Sequence, residues 1–189
     1  EVTKAVNKMV ISCTVIGRGD RGKAVSTSGA REGDDIVVTK YLCLEGTSIA
    51  ANDFEGKLKN ILTSAEIDEA KNYINYISVV KEGVLSGKFG VNSMHDITEG
   101  GLLGALWEVA KASEVGSIDP LRFISSGSML ITTERGRELV HMLENCGIKA
   151  SIIGKITGNS YMMVGRDGVQ HQVEPPQSDE LFVLEEKLK

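Results

Sequence analysis

The clearest pattern of hydrophobic and polar positions lies near the middle of the chain. The segment Val91–Ile97 has the length of a strand and is apolar at both ends, which predicts a buried strand. From Gly100 to Ala112, apolar residues recur near one side at helical spacing, which predicts an amphipathic helix. These residues are Leu102, Leu106, Val109 and Ala112. The pattern therefore predicts a strand, a glycine turn and a helix that packs on the sheet.

Strand-like and helical spacing of apolar residues predicts the other elements of the chain. Strands are predicted at Met9–Ile16, Ile36–Leu44, Ser128–Thr132, Ile148–Ile153, Tyr161–Val164 and Val169–Val173. Helices are predicted at Glu45–Phe54, Val79–Phe89, Glu134–Asn145 and Ser178–Lys189. A further helix follows the capping-box sequence Thr63–Glu66, with Ile67, Ala70, Ile74 and Ile77 on its buried face.

The order of these elements favours an α+β fold. Helices and strands are mixed, and the turn at Arg166–Gly168 joins the last two strands into a hairpin. We therefore expect a layered α/β sandwich, with helices packed on a mixed, partly antiparallel sheet.

Composition and charge narrow the class of protein. The chain has 189 residues, 41% of them hydrophobic and 25% charged, which is typical of a folded protein and favours one domain. The net charge of −5 is spread along the chain, so nothing predicts a nucleic-acid partner. The apolar stretches are too short to cross a membrane. Three cysteines without a paired spacing fit a cytoplasmic protein. Because the first residue is Glu1, we expect a fragment of a longer protein.

The glycine turn is the main candidate for chemistry. A helix start has unpaired N–H groups and a partial positive charge, which suits a phosphate or a carboxylate. Gly100 and Gly101 would let such a ligand come close, because no Cβ stands in its way. Thr98 or Asp96 could cap the helix, and Asp96 or His95 could bind magnesium or move a proton. Close packing of the helix on its strand explains the two glycines equally well.

Three further segments are weaker candidates. Gly46 and Thr47 begin another helix after a strand, and a simple capped helix explains them better than a binding role does. The loop Ser125–Gly127 is small and polar enough to line a cleft, although such loops are usually turns. The segment Gly17–Gly22 matches G-x-G-x-x-G, but no apolar helical stripe follows, so we expect a turn and not a dinucleotide site.

The chain resembles a known family. It is similar to the C-terminal domain of the aminoimidazole ribonucleotide synthetase-related superfamily, and within it to hydrogenase maturation factors that make a thiocyanate. The stretches that carry the resemblance are TSGAREGDDIVVTKYLCLEGT, MHDITEGGLLGALWEVA, IDPLRFISSGSMLIT and GIKASIIGKIT.

The resemblance implies a two-domain enzyme. Such an enzyme uses ATP to activate a carbonyl-type oxygen or to transfer a phosphoryl group to a small-molecule substrate. ATP and Mg²⁺ are then bound mainly by an N-terminal domain, which forms a homodimer and precedes this one. We expect residues 1–189 to be the single C-terminal domain, inactive when isolated.

The family pattern maps onto two segments of this chain. The expected catalytic candidates are His95, Asp96 and Glu99, and no metal ligand is assigned. The expected ligand-binding residues in these segments are Thr98, Gly100, Gly101, Ser125, Ser126 and Gly127. Gly46 and Thr47 are added from the local pattern of the second helix start, and not from the resemblance.

Two departures from the family leave an alternative open. The maturation factor carries its reacting group on a C-terminal Cys, whereas this chain ends at Leu188-Lys189. The chain also passes from Gly116 to Ser117 where relatives have a longer segment. A binding or assembly module that kept the fold and lost the chemistry is therefore the second hypothesis.

Overall fold

The main sheet has four strands, all paired antiparallel, in the order β2-β3-β1-β4. The computed structural model describes residues 11–113, 125–158, 162–164, 170–172 and 179–187. The strands are β1 (Asp35–Thr39), β2 (Ser93–Ile97), β3 (Ser128–Thr133), β4 (Ala150–Lys155), β5 (Met162–Val164) and β6 (Gln170–Gln172). The last two pair as the predicted hairpin. The α+β class is confirmed, and no parallel pair occurs among the described strands.

Helices cover both faces of this sheet. They are α1 (Leu44–Asp53), α2 (Glu55–Leu58), α3 (Ser64–Asn72), α4 (Val80–Phe89), α5 (Gly101–Ser113), α6 (Gly136–Asn145) and α7 (Glu180–Lys187). Short 3₁₀ turns lie at Thr27–Gly29 and Tyr73–Tyr76. The predicted capping box of α3 is present, since the Thr63 and Glu66 side chains accept hydrogen bonds from each other's backbone N–H groups. None of the described helices has the length and apolar character needed to cross a lipid bilayer.

The core is divided between the two faces because successive strand residues point to opposite sides. Leu102, Leu106 and Val109 of α5 pack against one face, where Leu130 of β3 is buried. On the other face, α6 packs against Ile131, the next residue of β3. All six positions of β3 are buried, which identifies it as a central strand covered on both sides. The sheet is therefore the middle layer of three.

Several sequence predictions were wrong in detail. Residues 11–16 of the first predicted strand have no regular structure, and Val15 is 95% exposed. Apolar, β-branched residues form a strand only where another strand pairs with them. The second predicted strand ends at Thr39, because Lys40 and Cys43 adopt positive φ angles of 53° and 64°.

The helix after Thr63 is also shorter than its apolar stripe suggests. It ends at Asn72, so Ile74 lies in a 3₁₀ turn and is exposed. Ala112, expected on the buried face of α5, is exposed as well. The junction of Gly116 with Ser117 and the turn at Arg166–Gly168 lie outside the described residues.

The sheet topology brings three loops to one edge. Strands β1 and β2 both run antiparallel to β3, so their carboxyl ends lie beside the amino end of β3. The loops at these ends are residues 40–43, 98–100 and 125–127. We call this end of the sheet, with the start of α5, the glycine-turn edge.

We predict that Gly29→Ala destabilises the protein by about 1–3 kcal/mol, the usual cost of overpacking. A Cβ at Gly29 would lie 2.0 Å from the backbone oxygen of Asn92, so the 3₁₀ turn would have to move away from β2. Urea unfolding measures the change. The control is Gly19→Ala, where nothing lies within 4 Å of the added atom. Equal stability of the two variants would contradict the prediction.

Candidate functional site

The glycine turn joins β2 to α5 in a conformation that only glycine adopts readily. Gly100 and Gly101 have φ angles of 74° and 60°, in the left-handed region where a Cβ is costly. The N–H of Gly101 donates to the backbone oxygen of Thr98 at 3.0 Å, and Gly104 donates to Gly100 at 2.9 Å. The turn is therefore tight, and α5 begins directly from it.

A buried carboxylate lies on this turn. The N–H of Gly100 donates to Oδ2 of Asp179 at 2.8 Å, and the N–H of Leu181 donates to Oδ1 at 2.9 Å. Asp179 is only 5% exposed and directly precedes α7. The starts of two helices thus converge on one carboxylate, where N–H groups and helix dipoles favour negative charge. The glycine turn binds an anionic group, and that group belongs to the chain itself.

Ser125 and Cys43 connect the start of α1 to the same turn. The N–H of Ser125 donates to the backbone oxygen of Thr98 at 3.3 Å. The Ser125 hydroxyl accepts from the N–H of Cys43 at 2.9 Å and lies 3.8 Å from the Cys43 sulfur. The structure therefore brings together Thr98, Gly100, Gly101 and Ser125 from the predicted set.

The charge at this edge acts on the Cys43 thiol. Burial raises the pKa of Cys43, and the negative charge of Asp179 raises it further, while the hydrogen bond from Ser125 acts in the opposite direction. The net shift is upward, so Cys43 stays protonated near neutral pH. Since the thiolate is the reactive form, Cys43 does not have the properties of an activated nucleophile.

The remaining predicted ligand residues are buried or half-buried. A Cβ on Gly127 would lie 3.0 Å from Cα of Ile77 and from Cδ1 of Leu44, so this glycine permits close contact with α1. Gly46 is buried in the first turn of α1, with Thr47 and Ser126 half-buried at this edge.

The three catalytic candidates do not converge. His95 faces α5, with Nε2 2.7 Å from Oε2 of Glu108 and Nδ1 3.1 Å from the hydroxyl of Thr27. Asp96 follows it on the strand, so its side chain lies on the opposite face of β2 and is exposed. Glu99 is exposed in the turn. His95 therefore ties a 3₁₀ turn to α5, and a shared role with Asp96 would need a rearrangement of β2.

Asp179 and Cys43 are the residues that sequence reasoning missed. Asp179 falls inside the predicted helix Ser178–Lys189, whereas the structure places it directly before α7, in a position where Asp often caps a helix. Its contact with Gly100 spans 79 positions, which no local pattern reveals. The left-handed conformation of Cys43 has no signal in its residue type.

Within the described ranges, no group of three or more His, Cys, Asp or Glu side chains is arranged to hold a metal ion. Near this edge, Oε2 of Glu45 is buried without a hydrogen-bond partner in the described part of the chain. Glu45 lies in the first turn of α1, two residues after Cys43.

Comparison with known proteins gives both a family and a relative. A family model described as "AIR synthase related protein, C-terminal domain" matches residues 31–165. A Methanocaldococcus jannaschii protein named for hydrogenase expression or formation is 28% identical over 186 aligned positions. The match covers 83% of this chain and 52% of that protein, so the chain spans about half the length of this relative.

Solved structures share the fold. HypE from E. coli, a hydrogenase maturation protein, has a TM-score of 0.62 at 18% identity, over 82% of this chain and 53% of that one. A hydrogenase maturation protein HypE in complex with ATP has a TM-score of 0.55 at 14% identity, over 83% of this chain and 55% of that one. The family resemblance predicted from the sequence is confirmed.

We predict that Asp179→Asn lowers the pKa of Cys43. The amide keeps an oxygen for the Gly100 N–H but removes the charge that opposes the thiolate. Iodoacetamide labelling across pH should show a midpoint above that of an ordinary thiol, and the substitution should shift it downward. At a fixed pH near 8, labelling should become faster.

The labelling needs a background in which Cys13 and Cys146 are replaced by Ser, so that one thiol remains. The control is Glu186→Gln, an exposed carboxylate on the same helix. An unchanged or higher midpoint in Asp179→Asn would contradict the electrostatic account.

Proposed function

The chain belongs to the AIR synthase related family, and from that premise we propose that it is the C-terminal domain of an ATP-dependent enzyme. The enzyme would activate a carbonyl-type oxygen or transfer a phosphoryl group, as proteins similar to hydrogenase maturation factors do. One observation carries the proposal: the N–H of Gly100 holds an anionic oxygen at 2.8 Å in a tight, left-handed turn. A phosphate offers the same kind of acceptor.

The role of the turn is to hold negative charge. In the ligand-bound protein, a phosphate oxygen would take the place of Asp179 on the Gly100 N–H. Fixed donors of this kind stabilise charge that develops during phosphoryl transfer, because they need no reorganisation. The hydroxyl of Ser126 and the backbone around Thr47 are the proposed lining, and the orphaned oxygen of Glu45 is an acceptor for a ligand N–H or O–H.

This chain is proposed to contact the nucleotide but not the metal ion. The Gly100 N–H of the glycine turn is the proposed donor to a phosphate of ATP. The described residues provide no cluster for Mg²⁺, so its ligands would come from elsewhere in the full-length protein. We assign nucleotide and Mg²⁺ binding mainly to an N-terminal domain, and we expect a cytoplasmic homodimer acting on a small molecule. The coverage of about half of the relative's length supports this division.

We predict that Gly100→Val in the full-length protein weakens ATP binding and lowers turnover. Valine at a φ of 74° is strained, so the turn that presents the Gly100 N–H would have to change its conformation. Isothermal titration with ATP and a phosphate-release assay with amide and amine substrates measure the effect.

The matched control is Gly33→Val, at the other end of β1. Gly33 also has a positive φ, of 89°, and open space around its Cβ position. Unchanged ATP binding in Gly100→Val would contradict the assignment of the glycine turn to the ATP site. An equal loss in both variants would show that backbone strain, and not a lost ligand contact, causes the effect. ATP binding without turnover, across the substrate panel, would favour the assembly-module hypothesis instead.

The 189-residue chain alone is predicted to release no phosphate from ATP. The proposal places the metal and most nucleotide contacts outside it, so the reacting groups cannot be assembled. The measurement is phosphate release at high protein concentration, with the full-length protein as the positive control. Turnover by the chain alone would contradict the proposed division.

A further inference from the structure

Three of the chain's four tyrosines line one cleft. The cleft has a volume of about 660 Å³ and lies between the loop after β1, the end of α3 and the turn before β4. We call it the tyrosine cleft; its lining is Lys40, Tyr41, Leu42, Leu44, Glu69, Asn72, Tyr73, Tyr76, Gly147 and Lys149. This volume lies within the range of small-molecule sites, roughly 300–1,000 Å³.

Two of these rings are left largely open. Tyr41 is 57% exposed and Tyr76 is 55% exposed, although aromatic residues make up only 5% of the chain. Exposed, clustered rings are characteristic of sites that stack planar groups, because every aromatic ligand offers a π-face.

Hydrogen bonds from Lys40 hold the backbone of the wall that carries Tyr76. The ammonium of Lys40 donates to the backbone oxygens of Tyr76 at 2.9 Å and Ser78 at 2.6 Å. Its charge is balanced by Glu82, whose Oε1 lies 3.1 Å away and whose side chain is 4% exposed. Lys40 therefore fixes the geometry of the cleft, and its charge is already paired.

The charge available to a ligand lies on the opposite wall. The ammonium of Lys149 lies 4.8 Å from the centre of the Tyr41 ring and donates to its hydroxyl. Lys149 is exposed, and no carboxylate in the described part of the chain forms an ion pair with it. An anionic group could bind this ammonium from the solvent side.

The α3 side of the cleft has the opposite polarity. The Glu69 carboxylate accepts from the Tyr73 hydroxyl at 3.3 Å, and its charge raises the pKa of Tyr73. Tyr73 therefore stays a protonated donor. Glu69 and the amide of Asn72 offer acceptors to N–H groups of a ligand.

We propose that the tyrosine cleft binds a planar nitrogen heterocycle that carries an anionic group. The ring stacks on Tyr41 and Tyr76, the anion pairs with Lys149, and ring or amino N–H groups face Glu69. This cleft adjoins the glycine-turn edge, since Leu44 and Tyr76 belong both to the cleft lining and to the contacts of Gly127. Its lining contains none of Thr98, Gly100, Gly101 and Asp179, so the proposed binding does not use the glycine turn itself. It does not depend on the proposed ATP-dependent reaction.

The test titrates the chain with adenosine 5′-monophosphate as the probe, followed by ligand-observed NMR. Its halves, adenosine and ribose 5-phosphate, are titrated separately. We expect adenosine monophosphate to bind, and Tyr41→Leu and Tyr76→Leu each to weaken it about tenfold, the usual size of a lost stacking contact. Lys149→Gln should weaken the binding of adenosine monophosphate and leave the binding of adenosine unchanged. It should also reduce the salt dependence of adenosine monophosphate binding.

Matched controls separate the site from general effects. Phe182→Leu removes an exposed ring outside the cleft, and Lys155→Gln removes an exposed ammonium at the other end of β4; neither should change affinity. Absence of binding at millimolar probe, or equal affinity in the tyrosine variants, would overturn the proposal. Binding lost in Gly100→Val but kept in Tyr41→Leu would overturn it too, while leaving the proposed ATP site standing.

Discussion

The contact between the Asp179 carboxylate and the Gly100 N–H is the interaction on which the candidate site depends. A buried carboxylate is costly unless donors surround it, and here the starts of α5 and α7 supply them. The same charge acts on Cys43 at the start of α1. Three helices are therefore arranged around one negative group, at the edge where three sheet loops meet.

This arrangement changes what an anion site at a glycine turn means. The left-handed glycines and the helix start were expected to receive a phosphate, and the structure has an internal carboxylate there. A ligand for this turn competes with a group of the same sign at effectively fixed local concentration. Affinity at the turn is then a difference between two similar contacts. In the tyrosine cleft, the ammonium of Lys149 forms no ion pair with a carboxylate among the described residues. An anionic ligand there would not have to displace an internal group.

The parts of the fold that were predictable are those fixed by local patterns. The helix α3 followed from its capping box, and β2 with α5 followed from apolar spacing. Residues 11–16 of the strand expected at Met9–Ile16 form no strand, because strand formation needs a partner, which apolar content alone does not provide. The antiparallel pairing throughout the main sheet also depends on contacts between distant segments.

Only those residues of the candidate site that are adjacent in the sequence were predictable. Thr98 to Gly101 could be identified from one stretch of chain, whereas Asp179 and Cys43 enter through tertiary contacts. Asp179 also sets an order of events during synthesis. Gly100 has no carboxylate to bind until the last described helix has left the ribosome, some 79 residues later. All four strands of the main sheet are therefore synthesised before the glycine turn can acquire its carboxylate.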